Sequence, residues 1–280
     1  MTAFVTFGET ALRFSPPGYE RLRTASETAV HVDGEESNAA VAAACLGADS
    51  TWISRLPDSP LGKRVVGALE SHGVDTHVAW DEQGRQGLVF AEAAADPRGA
   101  DAVHDRTDTA AARATASDLP MATVQDADVV FTGASTPALS ADAANTTEAM
   151  LRAGGGAGAL TALDLDFDPA LHETAHVKAV VEHLFDHVDV LVANEDDARR
   201  VLPRSGKPRE LANGLVAEYD LEMVVVTRSE YGAVLMHDTP GTNVIHERDP
   251  IQTEAVDPAG QHEAFVGAFL QRLGDGADAA

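Results

Sequence analysis

Short apolar runs alternate with helix-like stretches along most of the 280 residues. The runs AFVTFGE, TWISRL, DVVFTGA, ALTALDLDF, VDVLVANE and EMVVVTR are rich in β-branched and aromatic residues and predict strands. The stretches EESNAAVAAACLG and SPLGKRVVGALESHG have the composition and the end signals of helices. Because strands that alternate with helices form mostly parallel sheets covered on both faces, the pattern predicts a doubly wound α/β fold.

Two segments interrupt this alternation. Residues 12–33 and 84–107 contain short alternating runs with Pro and Gly turns, and neither has a good helical pattern. They predict a small antiparallel sheet inserted into the main domain, and a lid over the carboxyl edge of the main sheet is a natural use for it. We expect residues 1–280 to form a single domain that carries this small β lid.

The charge of the chain is unusual. Asp and Glu number 45 against 20 Lys and Arg, which gives a formal net charge of −25 spread along the whole sequence. Such a surface repels itself at ordinary ionic strength, whereas salt at about 1 M shortens the screening length to about 3 Å. The composition favours a salt-rich cytosol, with an ordinary acidic soluble protein as the alternative. It argues against nucleic-acid binding, because no basic patch is available to displace counterions.

Other general features favour a soluble, cytoplasmic protein. The single Cys45 lies in an Ala-rich apolar run, which predicts a core residue rather than a nucleophile, and one Cys cannot form an internal disulfide. The first residues lack a basic start followed by a long apolar run, so we expect no signal peptide. Apolar runs also stay below the roughly 18 residues that a membrane-spanning helix needs.

Two motifs have functional interpretations that their context disfavours. The glycines of AGGGAGAL, residues 153–160, follow a helix and precede a strand, which is the wrong order for a dinucleotide fingerprint and indicates a flexible connection. HETAH, residues 172–176, matches the zinc-protease pattern H-E-x-x-H, and His183 and His187 would share its face on an unbroken helix. Pro169 before the motif and a strand after it favour solvated histidines instead.

Polar residues stand at the ends of two predicted strands. In VANEDDARRVL, Asn194 and Glu195 lie where a strand becomes a helix, and Asn is a good N-cap there. In VVVTRSEYGAVL, Thr227 and Ser229 stand at a strand end ahead of Gly232, as in a hairpin turn. Both stretches also have a functional interpretation, because α/β sheets bind ligands at the carboxyl ends of their strands.

The stretch VDPAGQHEAFVGAFL, residues 256–270, is more specific. A turn containing Gly260 leads into a helix with Glu263 near its start and an apolar face behind it. A capped helix with an acid in its first turn is one interpretation, stabilised by about 0.3–1 kcal/mol through the helix dipole. An anion-binding turn beside a carboxylate base is the other, and this pairing suits phosphoryl transfer.

Taken together, these segments resemble the PfkB/ribokinase family of carbohydrate kinases from about residue 3 to residue 273. The stretch VDGEESNAAVAAACLGADSTWISRLPDSPLGKRVV is similar to the family's first signature, and VDPAGQHEAF is similar to its second, D-T-x-G-A-G-D-A-F. ANEDDA is similar to the N-E-E-E nucleotide and magnesium motif, and VTRSEYG to the T-x-G-x-x-G nucleotide loop. FGETALRFSPP and RGADAVHDR lean toward the 2-keto-3-deoxygluconate kinase branch, with fructokinases close by. The resemblance implies a ribokinase-like fold.

The resemblance also implies roles for individual residues. Gly34 and Asn38 would bind sugar hydroxyls, and Arg106 would bind the acidic or keto end of the substrate. Glu263 takes the place of the general base, and Glu195 would serve magnesium. The amides of the anion hole would come from Gly260, Gln261 and His262. The nucleotide-binding set would be Asn194, Thr227, Ser229 and Gly232.

The second signature differs from the family pattern at several positions. The family's Asp is Glu263 here, its Ala-Gly pair is Gln261-His262, and its Thr after Asp257 is Pro258. The extra methylene of Glu moves the carboxylate by about 1 Å, which can cost on the order of 100-fold in rate if nothing compensates. His262 adds a donor and, when protonated, a positive charge near the phosphate. Its Cβ would disfavour any backbone with φ above zero.

Other departures lie outside this turn. The family's D-x-N-x-R reads DLDFD, so Asp166 and Asp168 replace an Asn and an Arg that serves the sugar branch. Ser229 stands for a glycine of the nucleotide loop, and the sequence ends soon after the second-signature helix. We expect a C-terminus that is short relative to the family.

The favoured function is ATP-dependent phosphorylation of a sugar or sugar acid, 2-keto-3-deoxygluconate or a related ketose. ATP and Mg²⁺ are the implied cofactors, with K⁺ as a further candidate, and the lid would supply a homodimer surface by resemblance. The alternative is a kinase-fold protein that binds sugar or nucleotide without turnover. The altered second signature, Asp168 and the short C-terminus motivate that alternative.

Overall fold

The computed structural model describes residues 1–239, 242–252 and 259–277. A nine-stranded sheet forms the centre, in the order β13-β12-β11-β10-β9-β8-β1-β4-β5. Its strands are β1 (Ala3–Phe7), β4 (Asp49–Pro57), β5 (Asp75–Asp81), β8 (Val129–Gly133), β9 (Leu160–Leu165), β10 (Val190–Asn194), β11 (Met223–Thr227), β12 (Ala233–Thr239) and β13 (Thr242–Arg248). Neighbours from β5 to β11 pair in parallel, whereas β12 and β13 form an antiparallel edge.

Helices cover both faces of this sheet, as the alternating pattern predicts. They are α1 (Glu35–Cys45), α2 (Pro60–Glu70), α3 (Met121–Gln125), α4 (Ala141–Ala157), α5 (Thr174–Leu184), α6 (Glu195–Val201), α7 (Pro208–Tyr219) and α8 (Gln261–Gly274). Alternate residues of each strand serve opposite faces: Phe4 of β1 packs with α1 and α8, whereas Val5 belongs to the core beneath α4 to α7. The doubly wound α/β fold is therefore confirmed.

A second sheet has four strands in the order β3-β2-β6-β7. Its strands are β2 (Ala11–Ser15), β3 (Ala29–Asp33), β6 (Leu88–Glu92) and β7 (Asp101–Asp105). They fall almost wholly within the two segments that interrupt the alternation, where period-two patterns replaced helical ones. Pairing is antiparallel except between β2 and β6, and the rings of Phe14 and Phe90 stack across that pair at 5.2 Å between centroids.

Helices α1 and α8 pack closely against each other on one face of the sheet. At Gly267 a Cβ atom would lie 2.3 Å from the backbone oxygen of Ala39, so only glycine fits without a shift. The Ala-rich sequence of α1 permits this approach, because its Ala39 and Ala43 add little bulk to the contact. Both helices begin at the carboxyl edge of the parallel strands, where α/β sheets place ligand sites.

Two local predictions were wrong. Cys45 is exposed rather than buried, because it is the last residue of α1 and faces away from the sheet at the helix end. The glycines of the AGGGAGAL stretch do not form a flexible connection: α4 continues through Gly156 and ends at Gly158, which takes the left-handed conformation (φ 99°). Among the described residues, no helix is long and apolar enough to cross a membrane.

Candidate active site

The predicted catalytic residues lie at the N-terminus of α8. Gly260 precedes the helix in the left-handed conformation (φ 76°, ψ 3°), and its oxygen accepts the first helical hydrogen bond, from Ala264 N at 2.9 Å. Gln261, His262 and Glu263 follow as the first helical residues, so His262 adopts ordinary helical geometry and its Cβ causes no strain. The preceding Asp257 and Pro258 lie outside the described residues.

Glu263 lies in the first turn of α8 and is partly buried. Burial raises the pKa of its carboxyl above the usual range, and the negative charges of Asp33 and Asp164 add to the effect, while His262 opposes it. A carboxylate in this environment is a better proton acceptor than a fully solvated one, as a general base requires.

Asp164 lies near the carboxyl end of β9 and is fully buried. The Nε2 atom of His262 lies 2.7 Å from Oδ2 of Asp164, and 28% of the His262 side chain remains exposed. Burial disfavours the charged imidazole, but Asp164, followed by Asp166 and Glu263, outweighs it and raises the pKa of His262 to about 9. The histidine is therefore an imidazolium at neutral pH.

Further acids surround this pair. Both carboxyl oxygens of the buried Glu35 are without a hydrogen-bonding partner among the described residues, and the side chain lies directly against Gly133. Because Gly133 is the register partner of Asp164, Glu35 is close to that carboxylate. Burial, and then the charge of Asp164, raises the pKa of Glu35 well above its usual range. The side chain of Asp166 is exposed to solvent but crowded by neighbouring protein atoms. This crowding, followed by the negative charge of Asp164, raises the pKa of Asp166 to about 7.

The predicted sugar-binding residues Gly34 and Asn38 lie at the start of α1. Gly34 precedes the helix, and a Cβ there would lie 2.6 Å from the backbone oxygen of Glu9, so a side chain cannot fit. The side-chain amide of Asn38 donates to Oδ1 of Asp33 at 3.0 Å. The negative charge of Asp33 also contributes to the raised pKa of Glu263, so this end of α1 lies within electrostatic range of the first turn of α8.

Arg106, predicted to bind the substrate's acidic or keto end, is held by a partner that sequence reasoning missed. Its Nε donates to Oε2 of Glu9 at 2.6 Å, and the exposed fractions of the two side chains are 14% and 2%. Glu36 is also buried nearby, where its Oε1 accepts from the backbone N–H of Gly133 at 3.0 Å. Burial raises the pKa of Glu36 to about 7, although that hydrogen bond and the charge of Arg106 oppose the shift.

Asp168, which replaces a family arginine, pairs with the second sheet instead. His104 of β7 places Nε2 at 2.7 Å from Oδ2 of Asp168, in the loop after β9. This histidine contact lowers the pKa of Asp168. The adjacent His172 is partly buried, and burial and the charge of Arg106 lower its pKa to about 4, which leaves it neutral. Both histidines stand in stretches singled out above, RGADAVHDR and HETAH, but the contact of His104 with Asp168 was not predicted.

The HETAH motif does not form a helical metal site. Helix α5 begins at Thr174, so His172 precedes it, and His187 lies in a separate 3-10 turn after it. The ring of His176 instead bonds the backbone oxygen of Ala138 at 2.9 Å. Within residues 1–239, 242–252 and 259–277, no three His, Cys, Asp or Glu side chains are placed to hold a metal ion by themselves.

The predicted nucleotide residues lie on adjacent strands. Asn194 ends β10 and is the register partner of Thr227 at the end of β11, so both side chains reach the carboxyl edge of the sheet. Asn194 caps α6 by accepting from Asp196 N at 2.8 Å, and Glu195 is bonded to Arg199 at 2.7 Å and 3.0 Å. The structure thus confirms the N-cap and shows that Glu195 already has a cationic partner.

The loop between β11 and β12 depends on positive φ angles. Ser229 has φ 46°, a left-handed conformation that favours the glycine it replaces. Gly232 has φ 78°, and a Cβ there would lie 1.9 Å from the backbone oxygen of Arg248, so only glycine is compatible. The predicted hairpin between the two strands is confirmed by their antiparallel pairing.

The fold and the cleft are those of a small-molecule kinase. The whole chain, residues 1–280, matches the pfkB family carbohydrate kinase. It is 44% identical over 274 residues to a 2-dehydro-3-deoxygalactonokinase from Haloferax volcanii, covering 98% of this chain and 85% of the relative. It is 28% identical over 282 residues to a 2-dehydro-3-deoxygluconokinase from Thermoproteus tenax, covering 99% and 84%. The chain belongs to the pfkB family and is a carbohydrate kinase.

Solved structures agree with this assignment. A 2-dehydro-3-deoxygluconokinase from Thermotoga maritima has a TM-score of 0.85 and 27% identity, covering 99% of this chain and 88% of its own. An uncharacterized sugar kinase from Pyrococcus horikoshii, solved in complex with ATP, has a TM-score of 0.81 and 20% identity, covering 95% and 83%. The ribokinase-like arrangement of the main sheet is therefore shared.

Proposed function

We propose that the protein transfers the γ-phosphoryl group of ATP to a hydroxyl of a 2-keto-3-deoxy sugar acid. The observation that carries the proposal is the placement of Glu263 in the first turn of α8, the helix that packs against α1, where Asn38 lies. The substrate class is supported by the 44% identity with the Haloferax kinase over nearly the whole chain.

Each group of residues would have its own role in the reaction. Gly34 and Asn38 hold sugar hydroxyls, and Arg106 faces the acid end of the substrate. The sugar oxygen forms its bond to the γ-phosphorus while the bond from that phosphorus to the ADP oxygen breaks, and Glu263 accepts the hydroxyl proton. The backbone amides of Gly260, Gln261 and His262 lie at the α8 N-terminus and stabilise the charge on the phosphoryl oxygens.

The donor set fits ATP with Mg²⁺. Mg²⁺ keeps several waters and binds through one or two carboxylates together with substrate phosphates, which agrees with the lack of a three-residue metal cluster among the described residues. Glu195 would share its carboxylate between the ion and Arg199. Asn194, Thr227, Ser229 and Gly232 would hold the nucleotide. K⁺ stays a prediction without assigned residues.

The four-stranded sheet would act as the lid. The contact of its strand β7 with the loop after β9, through His104 and Asp168, supports this role. A lid of this kind excludes water from the transferred phosphoryl group. Homodimerisation through the same sheet stays a prediction, which light scattering of the purified protein would check.

One assay tests the proposed reaction. ADP release would be followed with 2-keto-3-deoxygalactonate, 2-keto-3-deoxygluconate, fructose and ribose as substrates. The buffer would contain KCl at about 2 M, so that the charges on the protein surface are screened. We expect a kcat/KM for a keto-deoxy acid at least about 100-fold above that for fructose, because a buried, charge-matched group rejects a substrate that lacks its partner. A preference for fructose would overturn the substrate class. Sugar binding by calorimetry without ADP release would overturn turnover itself.

A further inference from the structure

His262, at the N-terminus of α8, contacts the carboxylate of Asp164, which is fully buried. Oδ2 of Asp164 lies 2.7 Å from Nε2 of His262, and the Asp164 side chain has an exposed fraction of 0%. The imidazole itself keeps 28% of its surface exposed. One ring nitrogen is thus fixed from the interior of the sheet, while the ring remains accessible beside Glu263, its neighbour in the chain.

Among the described residues, the charged groups that act most strongly on this ring are acids. They come from three elements: Asp164 on β9, Asp166 in the segment that follows it, and Glu263 on α8. Behind Asp164, Glu35 of α1 lies against Gly133, the register partner of Asp164. Oδ1 of Asp164 has no hydrogen-bonding partner among the described residues, whereas Oδ2 contacts His262. This environment raises the pKa of His262 to about 9.

We propose that Asp164 is a positioning residue that holds His262 as an imidazolium, and that His262 is a catalytic residue supplying a fixed positive charge to the transferred phosphoryl group. A doubly protonated ring has a second donor, Nδ1–H, besides the one bound to Asp164. Throughout the transfer His262 keeps both protons, because the hydroxyl proton goes to Glu263. The inference rests on the proposed function and deepens it.

With this role, His262 would contribute to phosphoryl transfer at a position where the family pattern has glycine. A charge-assisted hydrogen bond to phosphate is about twice as strong as a neutral one. Because Asp164 fixes the ring before substrate arrives, no reorganisation is needed as charge develops. Of the described residues of the turn, Gly260 alone takes the left-handed conformation, so the helix accepts His262 without backbone strain.

Three variants of the full chain test the pair: His262→Gln, Asp164→Asn and the control His183→Gln, whose ring is 69% exposed and contacts Glu148 outside the cleft. The wild-type kcat should fall above about pH 9. In Asp164→Asn the fall should begin at least one pH unit lower, toward the ordinary histidine value of about 6.5. His262→Gln should lose about 10²-fold in kcat, the effect of removing one stabilising donor, together with this alkaline fall. His183→Gln should match the wild type.

An independent readout does not depend on turnover. Histidine-selective carbon-13 labelling of the full protein would give the pKa of His262 by NMR, with and without inorganic tripolyphosphate as the probe. We expect titration near pH 9, a further rise with tripolyphosphate, and loss of the resonance in His262→Gln. If Asp164→Asn fails to fold, this titration and the His262→Gln profile still decide the matter.

The outcomes separate the two proposals. A His262 that titrates at or below about pH 6.5, the ordinary value, and does not respond to tripolyphosphate would overturn the charged pair even if the enzyme phosphorylates a sugar acid. The charged pair would also be overturned if His262→Gln keeps its kcat within about twofold and retains the alkaline fall, well short of the loss expected for a lost donor. A charged, anion-responsive His262 in a protein without sugar-acid turnover would instead overturn the proposed substrate and leave the pair supported.

Discussion

Arg106 and Glu9 form a buried ion pair between residues 97 positions apart in the chain, joined by a 2.6 Å contact from Nε to Oε2. Glu9 follows β1 of the main sheet, and Arg106 follows β7 of the second sheet. The pair therefore connects the two sheets. Much of the arginine's positive charge is thereby balanced inside the protein.

Breaking this pair should destabilise the fold strongly. Arg106→Met leaves Glu9 buried without a partner, and removal of one member of a buried pair costs about 3–5 kcal/mol. Unfolding by guanidinium would measure the loss, and the double variant Arg106→Met/Glu9→Gln should lose less than the sum of the single variants. Arg13→Met is the control, because its contact with Asp33 at 3.5 Å is more exposed and should contribute less than about 1 kcal/mol. Additive losses would contradict the coupling.

Glu263→Gln should lower kcat by about 10²–10⁴-fold, the usual contribution of a general base. The amide cannot accept the hydroxyl proton but keeps nearly the same size, so sugar binding by calorimetry should change little. Glu222→Gln is the matched control, since Glu222 is exposed at the amino end of β11, at the opposite edge of the sheet. A kcat equal to that of the wild type would exclude Glu263 as the base.

Stability should depend on pH through Glu36. Its carboxyl has a pKa of about 7 in the folded protein against 4.5 ordinarily, so the folded state retains a proton that the unfolded chain releases. The unfolding free energy contributed by this group should therefore fall as pH rises from about 4.5 to 7, at about 1.4 kcal/mol per pH unit. Denaturant titrations of wild type and Glu36→Gln across this range would measure the difference. A difference that does not change with pH would refute the assignment.

Two helix glycines should respond oppositely to substitution by Ala, because only Gly267 lies in the tight contact between α1 and α8. Gly267→Ala would place a Cβ 2.3 Å from a backbone oxygen and should destabilise by about 1–3 kcal/mol through overpacking. Gly67→Ala, in the middle of α2 with open space around it, should stabilise by about 0.5–1 kcal/mol. Thermal unfolding of both variants would check the signs. A stable Gly267→Ala variant would mean that the two helices pack less tightly than described.

The net charge of −25 predicts that stability rises with salt. The melting temperature should increase between 0.1 M and 2 M KCl, with most of the gain below about 1 M, because the screening length falls from about 10 Å to 3 Å over that range. Calorimetry in KCl would be compared with sucrose at equal osmolality, which strengthens burial without screening charge. An equal rise in sucrose would show that screening is not the cause.

Sequence patterns predicted the elements better than the contacts between them. Buried strands such as β10 are nearly continuous apolar runs, and the carboxyl ends of neighbouring parallel strands must meet, so Asn194 and Thr227 could be placed together beforehand. The Asp164–His262 bond joins residues 98 positions apart, and no local pattern specifies such a pairing. Cys45 was misplaced because composition does not show which way the last residue of a helix points.

The burial of Asp164 and Glu9 has a consequence for how the protein responds to salt. Mobile ions weaken interactions between exposed charges, but they hardly reach groups whose exposed fractions are 0% and 2%. Added salt should therefore weaken the interactions between surface charges more than those of the buried carboxylates. The surface charges respond to the surrounding salt, whereas the contacts of Asp164 with His262 and of Glu9 with Arg106 are largely shielded from it, so we expect both contacts to persist as external salinity changes.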